Sequence, residues 1–227
     1  MSRRAVQIAT GLALAGTAAA IWTVAHRLRP GAAPMTQAAL RAPPAADAFD
    51  TPFVPPPPPP KIPQRLPDFV LPDRSGKPTS IATWRDKSLI INFWATWCAP
   101  CRREMPLLAS IQRRWAAQGV TVVGIAVDHP QAVRAYADEL KIPYPLLVGE
   151  QDALDVAAAF GVGSPVFPFT VFTDRRGEVV ALYVGELHQA QAELILRTVQ
   201  DLNLQRVALA DARRSIAAGL QSLTPQG

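Results

Sequence analysis

Cys98 and Cys101 are the only cysteines among the 227 residues of the chain. They follow an apolar run of strand length at residues 89–94, and Pro100 lies between them, where the first turn of a helix tolerates a residue without an N–H. Neither cysteine has a third sulfur to pair with inside the chain. The spacing therefore predicts a strand followed by a helix whose first turn carries a thiol pair for disulfide exchange.

The rest of this region alternates between strand and helix patterns. Predicted strands are residues 89–94, 120–127, 144–148, 169–173 and 178–184, and predicted helices are 100–118, 130–140, 153–160 and 189–202. A small hairpin is expected from residues 69–71 and 79–81. Continuous apolar strands between helices indicate an α/β fold with a sheet covered on both faces. The last two strands, joined by a tight turn, must be antiparallel to each other, which makes the sheet mixed.

Residues 5–25 contain no charged side chain. A helix of this length spans about 30 Å, the thickness of one hydrocarbon core. We interpret it as a retained anchor, because a basic cluster follows it where a cleavable signal has small polar residues. A cleaved signal peptide and a buried helix remain the alternatives. Basic residues flank the run at Arg3, Arg4, His26, Arg27 and Arg29, and we expect the N-terminus inside the cell and the remainder outside.

Residues 30–65 are rich in proline and alanine, and residues 55–60 are all proline. Such a run adopts polyproline II and acts as a semi-rigid spacer. We therefore divide the chain into an anchor with basic flanks at 1–29, a linker at 30–65, a folded domain at 66–202 and a C-terminal helical extension at 203–227. A docking site for a proline-recognising partner is the alternative function of the linker.

The formal net charge of +5 does not indicate nucleic-acid binding, because the arginines are scattered and no basic run is interleaved with aromatic residues. A zinc site is also disfavoured, since it needs four ligands and one Cys-x-x-Cys supplies two. Asp128 and His129 end a predicted strand. We interpret His129 as a solvated loop residue rather than as half of a catalytic pair.

Residues 93–106 (FWATWCAPCRREMP) resemble the active-site segment of the thioredoxin superfamily, and in particular of the membrane-anchored TlpA/ResA-like thiol–disulfide oxidoreductases. The resemblance covers residues 66–201 and implies a thioredoxin-like fold with a central insert at residues 142–160. Glu104 matches an acidic residue of that branch, and Pro168 falls where the superfamily keeps a cis-proline opposite the cysteines. Pro165 is the alternative for that position. Asn92 departs from the pattern, because thioredoxin has a buried aspartate there.

The predicted helix N-terminus assigns roles to the two sulfurs. Free N–H groups and the helix dipole stabilise a thiolate, so the pKa of Cys98 should fall below its usual value of about 8.5. Cys98 is then the more exposed nucleophile, and Cys101 resolves the mixed disulfide. Glu104 either accepts the Cys101 proton or is a first-turn acid that complements the dipole.

Four residues are predicted to contact substrate: Trp97, Ala99, Pro100 and Phe167. We assign Trp94, inside the strand run, to the core. Apolar residues recur at helical spacing between residues 204 and 223, at Val207, Leu209, Ile216 and Leu220. This extension is expected to pack on the domain, with partner binding as the alternative.

We expect an enzyme that reduces disulfides in partner proteins. Its redox-active group is the Cys98–Cys101 disulfide, and we expect no cofactor and no metal. The resemblance implies an inner-membrane protein with a periplasmic catalytic domain, a membrane dithiol as electron donor, and clients in cytochrome c maturation, copper-site assembly or general disulfide reduction. Two alternatives stay open: an oxidase or isomerase that runs the exchange in the other direction, and a metal- or haem-handling module that uses the two thiols as soft ligands.

Overall fold

The structure is a computed structural model that describes residues 61–162 and 166–223. The predicted anchor at residues 5–25 and almost all of the predicted linker lie outside the described residues. Within the described part of the chain, no helix is both long enough and apolar enough to cross a bilayer.

Seven strands in the described residues form two sheets. They are β1 (Val70–Pro72), β2 (Pro78–Ser80), β3 (Ser88–Trp94), β4 (Val120–Val127), β5 (Leu146–Gly149), β6 (Phe169–Thr173) and β7 (Val179–Val184). The first two make an antiparallel hairpin, and the others follow the order β5-β4-β3-β6-β7. The pairs β3–β4 and β4–β5 are parallel, whereas β3–β6 and β6–β7 are antiparallel. The predicted hairpin and mixed sheet are confirmed.

Among residues 61–162 and 166–223, five α-helices connect or follow these strands. They are α1 (Ala99–Trp115), α2 (Pro130–Leu140), α3 (Gln151–Ala159), α4 (Gln189–Asn203) and α5 (Leu209–Leu223). A short 3₁₀ helix extends α1, and it ends at Gly119 because the left-handed φ of 78° there suits glycine. The predicted insert is present as β5 and α3, and β5 supplies one edge of the sheet.

The alternation of β3 side chains sends its apolar residues into two different cores. Ile90 and Trp94 join the cluster that includes residues of α1 and α4, whereas Ile91 and Phe93 join the cluster on the opposite face. Successive strand residues point to opposite faces, so Asn92 shares the face of Ile90 and Trp94. The central strand therefore presents one buried polar side chain to the helix that carries the cysteines.

Residues assigned to the end of the linker are part of the folded domain. The carbonyl oxygen of Gln64 accepts a hydrogen bond from the Val179 N–H at 2.9 Å, and the Leu66 N–H donates to the Gly177 carbonyl at 2.8 Å. The chain thus reaches the edge of β7 before residue 66, and these bonds occupy part of that edge.

The C-terminal extension packs on the domain, as predicted. Ala212 and Ile216 of α5 are buried, and the Arg213 Nε donates to the Val179 carbonyl at 3.0 Å. Val207 departs from the predicted apolar face, since it lies before α5 and remains 36% exposed. Helical spacing extrapolated across the turn that separates α4 from α5 is the reason for this error.

Candidate active site

Cys98 and Cys101 are joined by a disulfide at the start of α1, with a Cα–Cα distance of 5.3 Å. Cys98 is the N-cap residue, and its Sγ accepts a hydrogen bond from the Cys101 N–H at 3.3 Å. Cys98 is 5% exposed and Cys101 is fully buried. The sulfur predicted to be the nucleophile is thus the outer one, as the sequence indicated, although it is less open to solvent than a surface thiol.

The loop that leads into the disulfide is held by Asp128, which follows the carboxyl end of β4. One carboxylate oxygen of Asp128 accepts bonds from the Thr96 N–H at 2.9 Å and from the Thr96 hydroxyl at 2.5 Å, and the other accepts from the His129 N–H at 2.8 Å. The His129 side chain is 76% exposed and pairs with Glu150. His129 is therefore a surface residue as interpreted, whereas the structural role of Asp128 was missed. Its place at the end of the strand beside β3 was the available signal.

An aromatic group lies beside the outer sulfur. Trp97 is 69% exposed, and its ring meets the edge of Phe167 at a centroid distance of 6.2 Å. Ala99 is exposed and Pro100 is partly buried. The structure therefore leaves the predicted substrate-contact residues accessible, at least in part, next to the disulfide.

The Phe167–Pro168 peptide bond is cis, as the resemblance implied for Pro168. Pro168 is buried, and its carbonyl oxygen accepts a hydrogen bond from the Gly185 N–H at 2.8 Å. The alternative proline, Pro165, lies outside the described residues.

Glu104 is buried, with 1% of its surface exposed, five residues after the start of α1 at Ala99. It does not lie in the first turn, so the alternative interpretation as a first-turn acid that complements the helix dipole is wrong. One carboxylate oxygen, Oε1, accepts from the Asn92 amide at 2.6 Å, and the other, Oε2, accepts from the Leu187 N–H at 2.7 Å. The carboxylate therefore faces the protein interior on the helix that carries Cys101.

Burial raises the pKa of Glu104 to about 7, although the hydrogen bonds from Leu187 and Asn92 oppose this rise. The negative charge of Glu186 raises the pKa further. A carboxyl group with a pKa near neutrality exchanges protons readily at physiological pH, which is what a proton acceptor needs.

Strand register brings Asn92 to Glu104. Asn92 in β3 lies opposite Thr170 in β6, and its Nδ2 donates to the Thr170 hydroxyl at 3.0 Å as well as to Glu104. The asparagine Oδ1 is buried and has no hydrogen-bond partner. The sequence marked Asn92 only as a departure from thioredoxin, and the contact itself depends on the pairing of β3 with β6.

A groove of about 450 Å³ lies beside Glu104. Arg103 and Glu186 form an ion pair on its wall, with the Arg103 Nε at 2.9 Å from a Glu186 oxygen, and this bond lowers the pKa of Glu186. Other residues that line the groove include Ser110, Arg114, Leu187 and His188. The Glu104 carboxyl group thus borders this polar groove.

Within residues 61–162 and 166–223, no group of three or more histidine, cysteine, aspartate or glutamate side chains is placed to hold a metal ion. The two cysteine sulfurs are bonded to each other in this structure.

A family model described as the AhpC/TSA family matches residues 62–199. The chain is 33% identical over 135 residues to the thiol-disulfide oxidoreductase ResA of Geobacillus kaustophilus (strain HTA426), which covers 59% of this chain and 75% of the relative. It is 34% identical over 134 residues to the thioredoxin-like protein YneN of Bacillus subtilis (strain 168), which covers 57% and 75%.

Among solved structures, a thiol:disulfide interchange protein of the thioredoxin family from Chlorobium tepidum TLS has a TM-score of 0.54 and 31% identity, with 62% of this chain and 97% of that chain covered. A DsbF homologue from Corynebacterium diphtheriae has a TM-score of 0.52 and 27% identity, with 60% and 85% covered. The matched range, residues 62–199, contains both cysteines, Glu104 and Pro168.

Proposed function

Because the chain belongs to the AhpC/TSA family of thioredoxin-like proteins and is a thiol–disulfide oxidoreductase, we propose that Cys98 and Cys101 form a dithiol that reduces disulfides in partner proteins. One observation supports the assignment of roles to the two cysteines. The disulfide lies at a helix N-terminus, with Cys98 beside exposed residues and Cys101 on the same helix as the buried Glu104.

The exchange proceeds in two steps. In the reduced protein, the Cys98 thiolate attacks one sulfur of a partner disulfide, the partner S–S bond breaks, and the departing partner sulfur takes up a proton. Cys101 then gives its proton to the Glu104 carboxylate and attacks the Cys98 sulfur. The mixed disulfide breaks, the second partner sulfur leaves as a thiolate and takes up a proton, and Cys98–Cys101 closes. The dithiol is oxidised by two electrons, and the partner is reduced by the same two.

Ala99, Pro100 and Glu104 support the reducing direction of exchange. Ala99 and Pro100 place no cationic side chain beside the Cys98 thiolate, and the buried Glu104 disfavours a second negative charge. Both features withhold stabilisation from the thiolate of the reduced protein, and a stabilised reduced form is what makes a strong oxidant. A measured reduction potential near that of thioredoxin, about −270 mV, supports a reductant, whereas a value near about −120 mV assigns the protein to the oxidases.

We further propose that residues 5–25 anchor the chain in the cytoplasmic membrane with the catalytic domain outside, where a membrane dithiol re-reduces the disulfide. The uncharged run and its basic flanks support this location. Cytochrome c maturation, copper-site assembly and general disulfide reduction are the candidate processes, and the trapped client identifies which of them applies.

The test is mixed-disulfide trapping in membranes that contain the full chain. Cys101→Ala leaves Cys98 able to attack but removes the resolving sulfur, so a covalent complex should accumulate on a non-reducing gel and disappear with dithiothreitol. Cys98→Ala is the matched control and should trap nothing. Trapping by the control but not by Cys101→Ala would reverse the two roles, and absence of any complex in the presence of a reducible client would contradict the mechanism.

Glu104→Gln tests the proton acceptor separately. The amide keeps the size of the side chain but does not ionise, so resolution should slow by about 100-fold, and the rate–pH profile should lose its inflection near pH 7. The measurement is single-turnover release of a reduced client from the mixed disulfide. An unchanged profile would remove Glu104 from the mechanism while leaving the cysteine roles intact.

A further inference from the structure

The Asn92 side chain is buried between the Glu104 carboxyl group and the Thr170 hydroxyl. When Glu104 takes up a proton, its oxygen that faces Asn92 changes from a hydrogen-bond acceptor to a donor. Its Nδ2 donates to Glu104 Oε1 at 2.6 Å and to the Thr170 hydroxyl at 3.0 Å, and its Oδ1 has no partner. Asn92 and Thr170 are fully buried, and Glu104 is 1% exposed. An amide donor suits an ionised carboxylate, which only accepts hydrogen bonds.

The hydrogen bond at Oε2 determines which oxygen of Glu104 carries the proton. The backbone N–H of Leu187 donates to Oε2 at 2.7 Å, and a backbone N–H cannot become an acceptor. A proton taken up by Glu104 therefore resides on Oε1, the oxygen that faces Asn92. In the orientation described, this O–H would point at the Nδ2 donor, which is an unfavourable contact between two donors.

We infer that Asn92 is a positioning residue that reverses its side-chain amide when Glu104 takes up the proton of Cys101. In the reversed orientation Oδ1 accepts the Glu104 O–H, and the Thr170 hydroxyl turns from acceptor to donor. The two amide orientations have nearly the same shape, and a hydroxyl serves in either role. This inference rests on the proposed role of Glu104 as the proton acceptor.

Reversal of the amide leaves one atom of Asn92 without a hydrogen-bond partner in each charge state of Glu104. With Glu104 ionised, Oδ1 lacks a partner. With Glu104 protonated, Nδ2 takes that position and lacks one instead. The cost of a buried unpaired amide atom is thus present in both states, so it does not fix Glu104 in one charge state. An aspartate at this position would compete for the proton, and an apolar residue would offer neither a donor nor an acceptor.

Other titratable groups around Glu104 are compatible with this arrangement. Glu186, from the turn before α4, carries a charge of the same sign and is itself paired with Arg103. Burial first, and then the negative charge of Glu104, raise the pKa of the Tyr144 hydroxyl, so it stays neutral at physiological pH. The remaining nearby groups are Cys101 on the same helix, with His188 and Arg114 on the wall of the groove. Among the described contacts of Glu104, Asn92 is the one side chain that both touches the carboxylate and can reverse its polarity.

The first test is the titration of Glu104 in the full 227-residue chain, followed by ¹³C NMR of glutamate labelled at the carboxyl carbon, with Glu104→Gln used to assign the signal. Wild type should show an inflection near pH 7. Asn92→Leu removes a donor to a charged group, so the inflection should rise by about one to two pH units. Asn92→Asp creates two carboxyls that share one proton, and the upper of its two inflections should rise at least as far.

Asn203→Leu is the matched control, because the Asn203 amide also bonds within the domain, to Ser88 at 2.8 Å, but does not touch Glu104. It should leave the inflection within about 0.3 units of wild type. If the Asn92 variants leave it equally unmoved, Asn92 does not position the proton. Loss of the Glu104→Gln kinetic effect would instead defeat the proposed function, so the two failures are distinguishable. Asn92→Asp keeps the size of the side chain, which guards against misfolding of Asn92→Leu.

The second test addresses the reversal itself through the ¹H and ¹⁵N signals of the Asn92 side-chain amide. These signals should move upfield with the same inflection as the Glu104 carboxyl carbon, because Nδ2 loses both of its acceptors on reversal. In Glu104→Gln they should show no inflection. Amide signals that stay constant while Glu104 titrates would overturn the reversal and leave a fixed amide.

Discussion

The two cysteines of the disulfide, only three residues apart, have different neighbours. Cys98 lies beside Trp97, which is 69% exposed, and the loop that precedes it is held by the bonds from Thr96 to Asp128. Cys101 is fully buried on the helix face where Glu104 bonds to Asn92 of the central strand. The outer region is shaped for contact with another molecule, and the inner region for holding a proton.

This difference has an energetic consequence. Exposed side chains around Cys98 contribute little to folding, so substitutions there should alter binding and leave stability almost unchanged. The inner region contains a carboxyl group and an amide buried in an apolar core, where each change of charge or partner costs free energy. Effects on stability and on pH dependence should therefore concentrate on the inner side.

The largest expected effect concerns the difference in reactivity between Cys98 and Cys101. Cys98→Ser removes the nucleophile and should lower the rate of insulin disulfide reduction by at least about 1000-fold. In the reduced wild-type protein, iodoacetamide should alkylate Cys98 at least about 10-fold faster than Cys101, because only Cys98 caps the helix and approaches the surface. Mass spectrometry of quenched samples measures both rates. Equal rates would break the distinction between outer and inner sulfur.

The second effect is a fall in stability with rising pH that is specific to the inner region. In the unfolded chain Glu104 loses its proton near pH 4.5, whereas the folded protein holds it until about pH 7. Between these values the folded state binds more protons at Glu104, so the contribution of this group to stability is greatest below about pH 4.5 and declines through pH 7. Relative to Glu104→Gln, wild type should lose about 3 kcal/mol over this window.

Urea unfolding of the oxidised proteins at a series of pH values measures this difference. Glu139→Gln is a suitable control, because Glu139 is an exposed carboxylate near the end of α2. Its stability difference from wild type should vary little over the same range. A wild-type curve that runs parallel to that of Glu104→Gln would show that the inner carboxyl is not perturbed.

A third, smaller effect tests what holds the outer loop. Asp128→Ala removes the acceptor for the Thr96 N–H, the Thr96 hydroxyl and the His129 N–H, and should lower the free energy of unfolding by about 1–3 kcal/mol. His129→Ala, at the next residue, removes a side chain that is 76% exposed and should change it by less than about 0.5 kcal/mol. If the two variants are equally stable, the loop does not depend on the carboxylate.

The fold was predictable because its signals are local. The apolar runs that became β4 and β6 have the bounds predicted from sequence, and Pro130 and Gly119 mark helix ends by their own backbone preferences. The outer part of the site was predictable for the same reason, since Trp97, Cys98 and Pro100 are adjacent in the chain. Val207 shows the limit of such reasoning, because periodicity does not reveal where one helix stops and the next begins.

The inner part of the site required the structure. Glu104 was identified through its family match, but its burial depends on the Leu187 backbone, 83 residues away. The bond from Asn92 to Thr170 spans 78 residues and exists because β3 and β6 pair in one register. Neither contact can be recognised in the sequence, because each joins residues that are far apart in the chain. The Asn92 contact also depends on the register of β3, since a shift of one residue would send Asn92 to the opposite face.

The smallest effect belongs to the exposed tryptophan beside the outer sulfur. Trp97→Ala removes an exposed ring that touches Phe167, so the KM for a protein client should rise by up to about 10-fold, with kcat unchanged. The free energy of unfolding should stay within about 0.5 kcal/mol of wild type. Val70→Ala is the control, since Val70 is 59% exposed in the hairpin and should alter neither constant. A fall in kcat at constant KM would mean that Trp97 acts on the chemistry of the sulfurs, and the outer region would no longer serve recognition alone.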